Sequence, residues 1–329
     1  MIPDWEMNLV YFSRLLARRY PALCGRVNRV LEDHGVPVRF LEGTADVWIR
    51  DYAPVQIAKK RFVKFRYAPD YLRGCERLIT KDEICGQLRE LGEISHSDLV
   101  VDGGNVVAAK TKVILTEKVF RENPKWKRTE VRTHFQETFH NPTWIIVPTE
   151  PLDPIGHSDG LVRFLDDNRV VVNDYSRVDP RYGRSLERKL GKYGLKIHRL
   201  PYRPGKKSPR KIPPATGNYV NFLRVGNLAW IPTVLVKPNT SGRRGQGVSL
   251  FLDSMLVLSE HQLEPPSTQP RNRYHLAVES GSHQQRLMSP LLKPYHNVAV
   301  RDHHRGRGRG AVAEEEPRGR VLSACRTRI

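Results

Sequence analysis

The sequence predicts a mixed α/β fold assembled from repeated units around one polar centre, and three observations carry that reading. First, a polar signature recurs: Asp51 closes Trp48-Ile49-Arg50-Asp51-Tyr52, Asn105 closes Asp102-Gly103-Gly104-Asn105, and Asp159 closes Gly156-His157-Ser158-Asp159. Asn105 follows Asp51 by 54 residues, and Asp159 follows Asn105 by 54. Second, an apolar strand, a short polar turn and a second apolar strand come after each signature. Third, each unit then continues into a helix and a further strand. Supersecondary units that repeat in this way and begin on acids, amides or an imidazole suggest a radial array.

The elements follow in order. Between 12 and 34, the apolar residues Leu15, Leu16, Leu23, Val27, Val30 and Leu31 fall at helical spacing with an interruption at Pro21, and Gly35 ends the run as a C-cap would. A strand is expected at 36–41. The hairpins are expected at 54–57 with 61–65, at 106–108 with 113–115, and at 161–165 with 170–172. A fourth begins at Asn218, with strands at 219–223 and 228–231, and the next copy is missing. A helix is expected at 81–91, capped by Thr80 and ended by Gly92, and another at 183–193, stopped by Gly194 before a strand at 196–200.

The chain has 329 residues and is 39% hydrophobic, enough for a substantial core in one large domain or two modest ones. Lys and Arg number 55 against 35 Asp and Glu, a net charge of +20 that invites a nucleic-acid or membrane-surface partner. The excess is spread along the chain, so neither a nucleic-acid partner nor a membrane is expected. Cys24, Cys75, Cys85 and Cys325 form no C-x-x-C pair and have no metal-ligand spacing. The N-terminus has no basic segment followed by an apolar one, and no run approaches the roughly 18 apolar residues that span a bilayer. A soluble, reduced, cytoplasmic protein is expected.

The texture changes near Pro238. Residues 241–329 carry thirteen Arg but a single Lys, Lys293, together with half of the twelve His. Pro-rich, Arg-Gly and Glu-rich strings appear there, and only 250–258 resembles a core segment. The expected organisation is therefore repeated units over 1–237, with the polar centre, and an atypical segment over 238–329 that is disordered or read out of frame.

The motifs WIRDY, DGGN and GHSDG, in this order and spacing, resemble the agmatine deiminase and bacterial peptidyl-arginine deiminase family. The resemblance covers 2–236, and Gly217-Asn218-Tyr219-Val220-Asn221-Phe222 looks like that family's penultimate repeat. It implies a pentein-type five-bladed α/β propeller, here incomplete in the last one or two blades. The implied activity is guanidine hydrolysis with release of ammonia, acting on agmatine, a peptidyl arginine or free arginine, and putrescine biosynthesis is the implied pathway. No metal and no organic cofactor are implied. The partner is a small cationic guanidine or an arginine side chain, and a homo-oligomer is compatible with the family.

The residue types suit such a substrate. A planar guanidinium offers forked N–H donors, and a carboxylate is the matching bidentate acceptor, each charge-assisted bond contributing about 1.5–3 kcal/mol. By the resemblance a Cys thiolate attacks the guanidinium carbon, His157 gives a proton to the leaving ammonia, and water activated by the same imidazole hydrolyses the adduct. Asp51 and Asp159 would clamp guanidinium nitrogens beside His157, and Asp102, Trp48 and Asn221 would line the substrate site. Asp102 stands where many agmatine deiminases have Glu, which shifts the carboxylate by about 1.5 Å. Trp48 reads equally as core or as a cleft wall, and Asn221 equally as an ordinary strand residue.

The family nucleophile lies in a G-G-x-H-C pattern that this sequence lacks. Cys325 has neither the glycine turn nor the histidine beside it. A frameshift near Pro238 would account for this, and the chain is then expected to be impaired. Two other readings remain: a guanidinium-binding protein without turnover, and an RNA-binding protein using the Arg-Gly run at 305–310.

Overall fold

A computed structural model describes residues 1–140, 142–205, 212, 215 and 217–230, together with the backbone of two strands at 255–258 and 275–277. The chain opens with β1 (Leu9–Ser13), α1 (Arg14–Arg19), α2 (Pro21–Asp33) and β2 (Val38–Leu41). Next come α3 (Ile49–Tyr52), β3 (Val55–Ala58), β4 (Arg61–Arg66) and β5 (Glu93–Val100). The third group is β6 (Val107–Ala108), β7 (Lys112–Thr116), α4 (Lys118–Glu122), α5 (Arg128–Thr138) and β8 (Thr143–Val147). The fourth is β9 (Val162–Asp166), β10 (Arg169–Asn173), α6 (Pro180–Gly191) and β11 (Lys196–Leu200). The last is β12 (Leu223–Val225), β13 (Leu228–Trp230), β14 (Met255–Leu258) and β15 (His275–Ala277).

These strands form five three-stranded sheets among the described residues, all on one plan. A central strand pairs antiparallel on one side and parallel on the other: β4 between β3 and β5, β7 between β6 and β8, β10 between β9 and β11, and β13 between β12 and β15. The fifth sheet joins distant parts of the chain, because β1 pairs parallel with β2 and antiparallel with β14. A parallel partner requires a crossover. Helices supply it between β1 and β2, between β7 and β8 and between β10 and β11, as the alternation of hairpin, helix and strand in the sequence predicts.

Local signals explain the helix ends. Ser13 Oγ accepts from Leu15 N at 3.1 Å and caps α1, while Pro21 starts α2 where its missing N–H costs nothing. Gly35 ends α2 at φ +68°, with Val36 N bonded back to Leu31 O at 2.8 Å. Asp179 caps α6 by accepting from Tyr182 N at 2.9 Å. The inner faces of α5 and α6 bury Val131 and Phe135, and Tyr182, Leu186 and Leu190. Phe135 is fully buried against Phe65, Phe139 and Trp144.

Two expectations need correction. The segment 81–91 is not an α-helix but a run of 3-10 turns over Asp82–Leu91 that starts from Lys81. Thr80 does not cap it; its Oγ1 accepts from Ala45 N at 3.0 Å. The fourth hairpin also starts later than its apolar pattern suggests, at Leu223, because Asn218 is already bridged to Tyr202 and the chain bends at 220–221. Of 238–329, the described part is β14 and β15; the rest of that segment, with Cys325 and the Arg-Gly run, lies outside the described residues. Among the described residues no helix is long and apolar enough to cross a membrane.

Candidate active site

Three short connections, each entering the first strand of a hairpin, bring the polar signatures together. Asp51 sits on the single turn of α3, whose entry is shaped by Asp46: its Oδ1 accepts from Trp48 N at 2.9 Å and its main-chain O from Tyr52 Oη at 2.9 Å. Asp102 leads into a 3-10 turn at Gly103–Asn105, closed by Asn105 N to Asp102 O at 2.9 Å. His157 and Asp159 lie on the turn before β9, not on the strand itself.

Two glycines let these connections meet. A Cβ on Gly103 would lie 2.0 Å from Arg50 O, so only a residue without a side chain lets this turn approach α3. A Cβ on Gly104 would lie 2.5 Å from His157 Nδ1, 2.7 Å from Asp51 Oδ1 and 3.2 Å from Asp159 Oδ2. Gly104 is therefore the point on which the imidazole and two of the carboxylates converge. Its carbonyl also accepts from Asp159 N at 3.1 Å.

The loop that carries His157 is braced from several sides. Asp153 accepts from Ile155 N at 2.9 Å and Gly156 N at 3.1 Å, and Gly156 takes φ +68°. Asn105 Oδ1 accepts from Thr116 N at 2.9 Å, and Thr116 Oγ1 lies 2.6 Å from Gly156 O. Asn105 thus acts on the site through the backbone that holds His157.

His157 Nε2 lies 2.8 Å from Asp102 Oδ2, and Nδ1 lies 3.4 Å from Asp51 Oδ1. Burial opposes the imidazolium, but the Asp51 carboxylate and the bond to Asp102 outweigh it and push the His157 pKa up to about 9. Burial likewise opposes the Asp102 carboxylate, yet Lys118 and His157 hold its pKa well below the usual range. Asp159 Oδ2 lies 3.3 Å from Arg50 Nε. Asp102 Oδ1 is buried and accepts no hydrogen bond from the described residues. Together these groups form a buried cluster of carboxylates around a protonated imidazole, able to accept forked N–H donors and to give up one proton.

The structure brings together Asp51, Asp102, His157 and Asp159. Trp48 is buried at the start of α3 and packs into the core with Met7, Val10, Phe222 and Trp230. Asn221 is half-buried before β12; the residue of that repeat bonded next to the site is Asn218, whose Nδ2 donates to Gly160 O at 2.9 Å. Sequence reasoning missed Lys118, Glu122, Asp70 and Tyr71. Lys118 Nζ lies 3.2 Å from Asp102 Oδ2, 3.0 Å from Glu122 Oε1 and 3.5 Å from Asp70 Oδ1, and 4.3 Å from the centre of the Tyr71 ring. The one available signal was the four-residue spacing of Lys118 and Glu122.

Among the described residues, no group of three or more His, Cys, Asp or Glu is arranged to hold a metal ion. Cys24 and Cys75 pack in hydrophobic clusters, and Cys85 is buried on the run Asp82–Leu91. Burial pushes the Cys24 and Cys85 thiols up, away from the nucleophilic thiolate.

Residues 15–240 match the family described as Porphyromonas-type peptidyl-arginine deiminase. No curated protein matches the sequence. Among solved structures, the fold is similar to the agmatine deiminase of C. jejuni, at 18% identity and a TM-score of 0.54, covering 71% of this chain and 81% of that one. It is also similar to the agmatine deiminase of Enterococcus faecalis, at 14% identity and a TM-score of 0.55, covering 71% of this chain and 83% of the other. The likeness to both is one of fold, the mixed α/β arrangement of small sheets described above.

Proposed function

Because the chain belongs to the Porphyromonas-type peptidyl-arginine deiminase family, whose members are hydrolases acting on C–N bonds, we propose that its polar centre binds a guanidinium group of agmatine or a peptidyl arginine. The observation that carries this is the meeting of Asp51, His157 and Asp159 at Gly104. Asp51 and Asp159 accept the guanidinium N–H groups, and Asp102 Oδ1 is a further buried acceptor. His157, held cationic by Asp51 and Asp102, is the proton donor to departing ammonia. Its raised pKa makes it a general acid at neutral pH and a base only after that proton has left. Asn221 is assigned to the substrate wall, whereas Trp48 supports α3 from the hydrophobic core. Where the sequence implies a propeller incomplete in its last one or two blades, the five described sheets are read as five blades arranged radially around this centre, one of them pairing β1 with β14. Putrescine formation is the pathway assigned if agmatine is the substrate.

Hydrolysis of a guanidine also needs a nucleophile at its carbon, and loss of a catalytic nucleophile costs on the order of 10⁶ in turnover. Since the three described cysteines are all buried and none carries the family's G-G-x-H-C context, the chain is assigned impaired turnover with retained cation binding. Titration calorimetry with agmatine, arginine and a blocked arginine dipeptide, run beside an assay of ammonia release, tests this. Binding that is lost in Asp51→Asn and Asp159→Asn, with ammonia release far below that of intact relatives, is the expected result. Absence of binding by all three ligands would overturn the guanidinium reading, and full-rate ammonia release would overturn the impairment. Salt-dependent binding to RNA without guanidine binding would favour the alternative use of the basic C-terminal segment.

A further inference from the structure

The geometry points to Lys118 as a positioning residue: its ammonium holds Asp102 in the place and orientation from which that carboxylate fixes the His157 imidazole. The inference deepens the guanidine-hydrolase reading, on which it rests only for what His157 does to a substrate.

Lys118 begins α4, directly after β7, and is fully buried. Burying an ammonium is costly unless its charge is matched and its protons have acceptors. Here Asp102, Glu122 and Asp70 all lie within ion-pair distance, and the Tyr71 ring faces the same ammonium. Tyr71 also stands edge-on to His157, with ring centres 6.0 Å apart, and Asp70 N donates to Glu122 Oε1 at 3.2 Å. The cluster therefore encloses the ammonium on several sides.

One oxygen decides what this enclosure does. Asp102 Oδ2 receives both Lys118 Nζ, at 3.2 Å, and His157 Nε2, at 2.8 Å. A carboxylate that accepts from two cationic donors through one oxygen has its torsion set by both. Glu122 and Asp70 pair with the same ammonium and so offset its charge, while Lys118 itself bonds the oxygen that holds the ring.

The groups facing His157 are Asp51 from α3, Asp102 and Gly104 from the turn after β5, and Tyr71 from the Asp70–Leu72 turn. Lys118 acts on it from α4 and Asp159 lies beside it on the same turn, paired with Arg50. Two carboxylates thus bracket the ring, and on the Asp102 side a second cation, Lys118, bonds the same oxygen as the imidazole. Without Lys118, the Nε2 side of the ring loses its fixed acceptor while the Nδ1 side keeps Asp51.

The test reads the imidazole itself by ¹⁵N and ¹H NMR of the full chain, so that failure to bind or hydrolyse guanidines counts against the functional reading and not against this one. In Lys118→Met, which keeps the apolar stem, exchange of the His157 Nε2 proton with solvent is expected to quicken by about tenfold or more, as for loss of one buried charge-assisted bond. In Glu122→Gln, which weakens an equally close partner of Lys118, that rate is expected to stay within about twofold. A purely structural lysine would make both variants act alike, and equal effects overturn the proposal. Should Lys118→Met not fold, the unsubstituted protein still decides: the Lys118 Nζ shift is expected to step at the titration midpoint of His157, because both bond the same oxygen. A Lys118 resonance that ignores the His157 titration overturns the proposal as well.

Discussion

Replacing Gly104 with alanine puts a methyl group at the centre of the polar cluster. The new Cβ would lie 2.5 Å from His157 Nδ1 and 2.7 Å from Asp51 Oδ1, where ordinary contacts begin at 3.4 Å. Relief therefore requires shifts of close to an ångström. The imidazole cannot yield easily because its other nitrogen is held to Asp102 at 2.8 Å. Asp51 is restrained by the short α3 turn and by the approach of Gly103 to Arg50 O. Overpacking a rigid site costs about 1–3 kcal/mol. Displacing one carboxylate from a bound guanidinium removes a further interaction of about 1.5–3 kcal/mol, which is on the order of ten- to a hundredfold in affinity. Urea unfolding and agmatine calorimetry measure the two effects separately. A Gly104→Ala protein that unfolds at the parent's urea concentration and binds agmatine within about twofold of the parent would refute the convergence argument, since a clash of this size cannot be silent in both.

Gly25→Ala is the matching control: Gly25 lies inside α2, its added Cβ would meet nothing within 4 Å, and a gain of about 0.5–1 kcal/mol in urea unfolding is expected. Phe135→Ala empties a fully buried aromatic site between Phe65, Phe139 and Trp144, and a loss of about 3–5 kcal/mol is expected in the same assay. His157 has its pKa raised from 6.5 to about 9, so the folded protein holds that proton more tightly than the unfolded chain. Its contribution, about 3 kcal/mol, is complete below pH 6.5 and is lost as pH rises through 9. His157→Gln is expected to flatten that part of the stability profile, and an unchanged slope between pH 6.5 and 9 would count against the assignment. Burial, with the Asp102 and Asp70 carboxylates, raises Glu122 from 4.5 to about 7, so its contribution is likewise lost on going up in pH, over that lower window. Glu122→Gln is expected to flatten the profile there.

Much of the fold was legible because hairpins and helices are local. Gly35 and Gly194 do end α2 and the turn after α6, and the strand expected at 196–200 is β11 to the residue. Where the reading failed, a distant partner had overridden a local signal. Thr80 looks like a cap, but Ala45 takes its hydroxyl; Tyr219 and Val220 look like a strand, but the bridge of Asn218 to Tyr202 bends the chain first. The pairing of β1 with β14 joins residues some 250 positions apart, and no periodicity announces it.

The candidate site divides in the same way. Asp51, Asp102, His157 and Asp159 were visible because a repeated unit puts its polar residues at equivalent places. The sequence alone therefore settled the repeat, the types of residue at its polar edge and the family to which they belong. Tertiary structure alone decided that those edges meet at Gly104, that Asn105 braces the His157 loop through Thr116, and that Lys118 shares an oxygen with the imidazole. The physical reason is that charge acts through space over a few ångströms. A lysine after a strand reads as an ordinary solvated residue until packing removes the water and leaves three carboxylates as its surroundings.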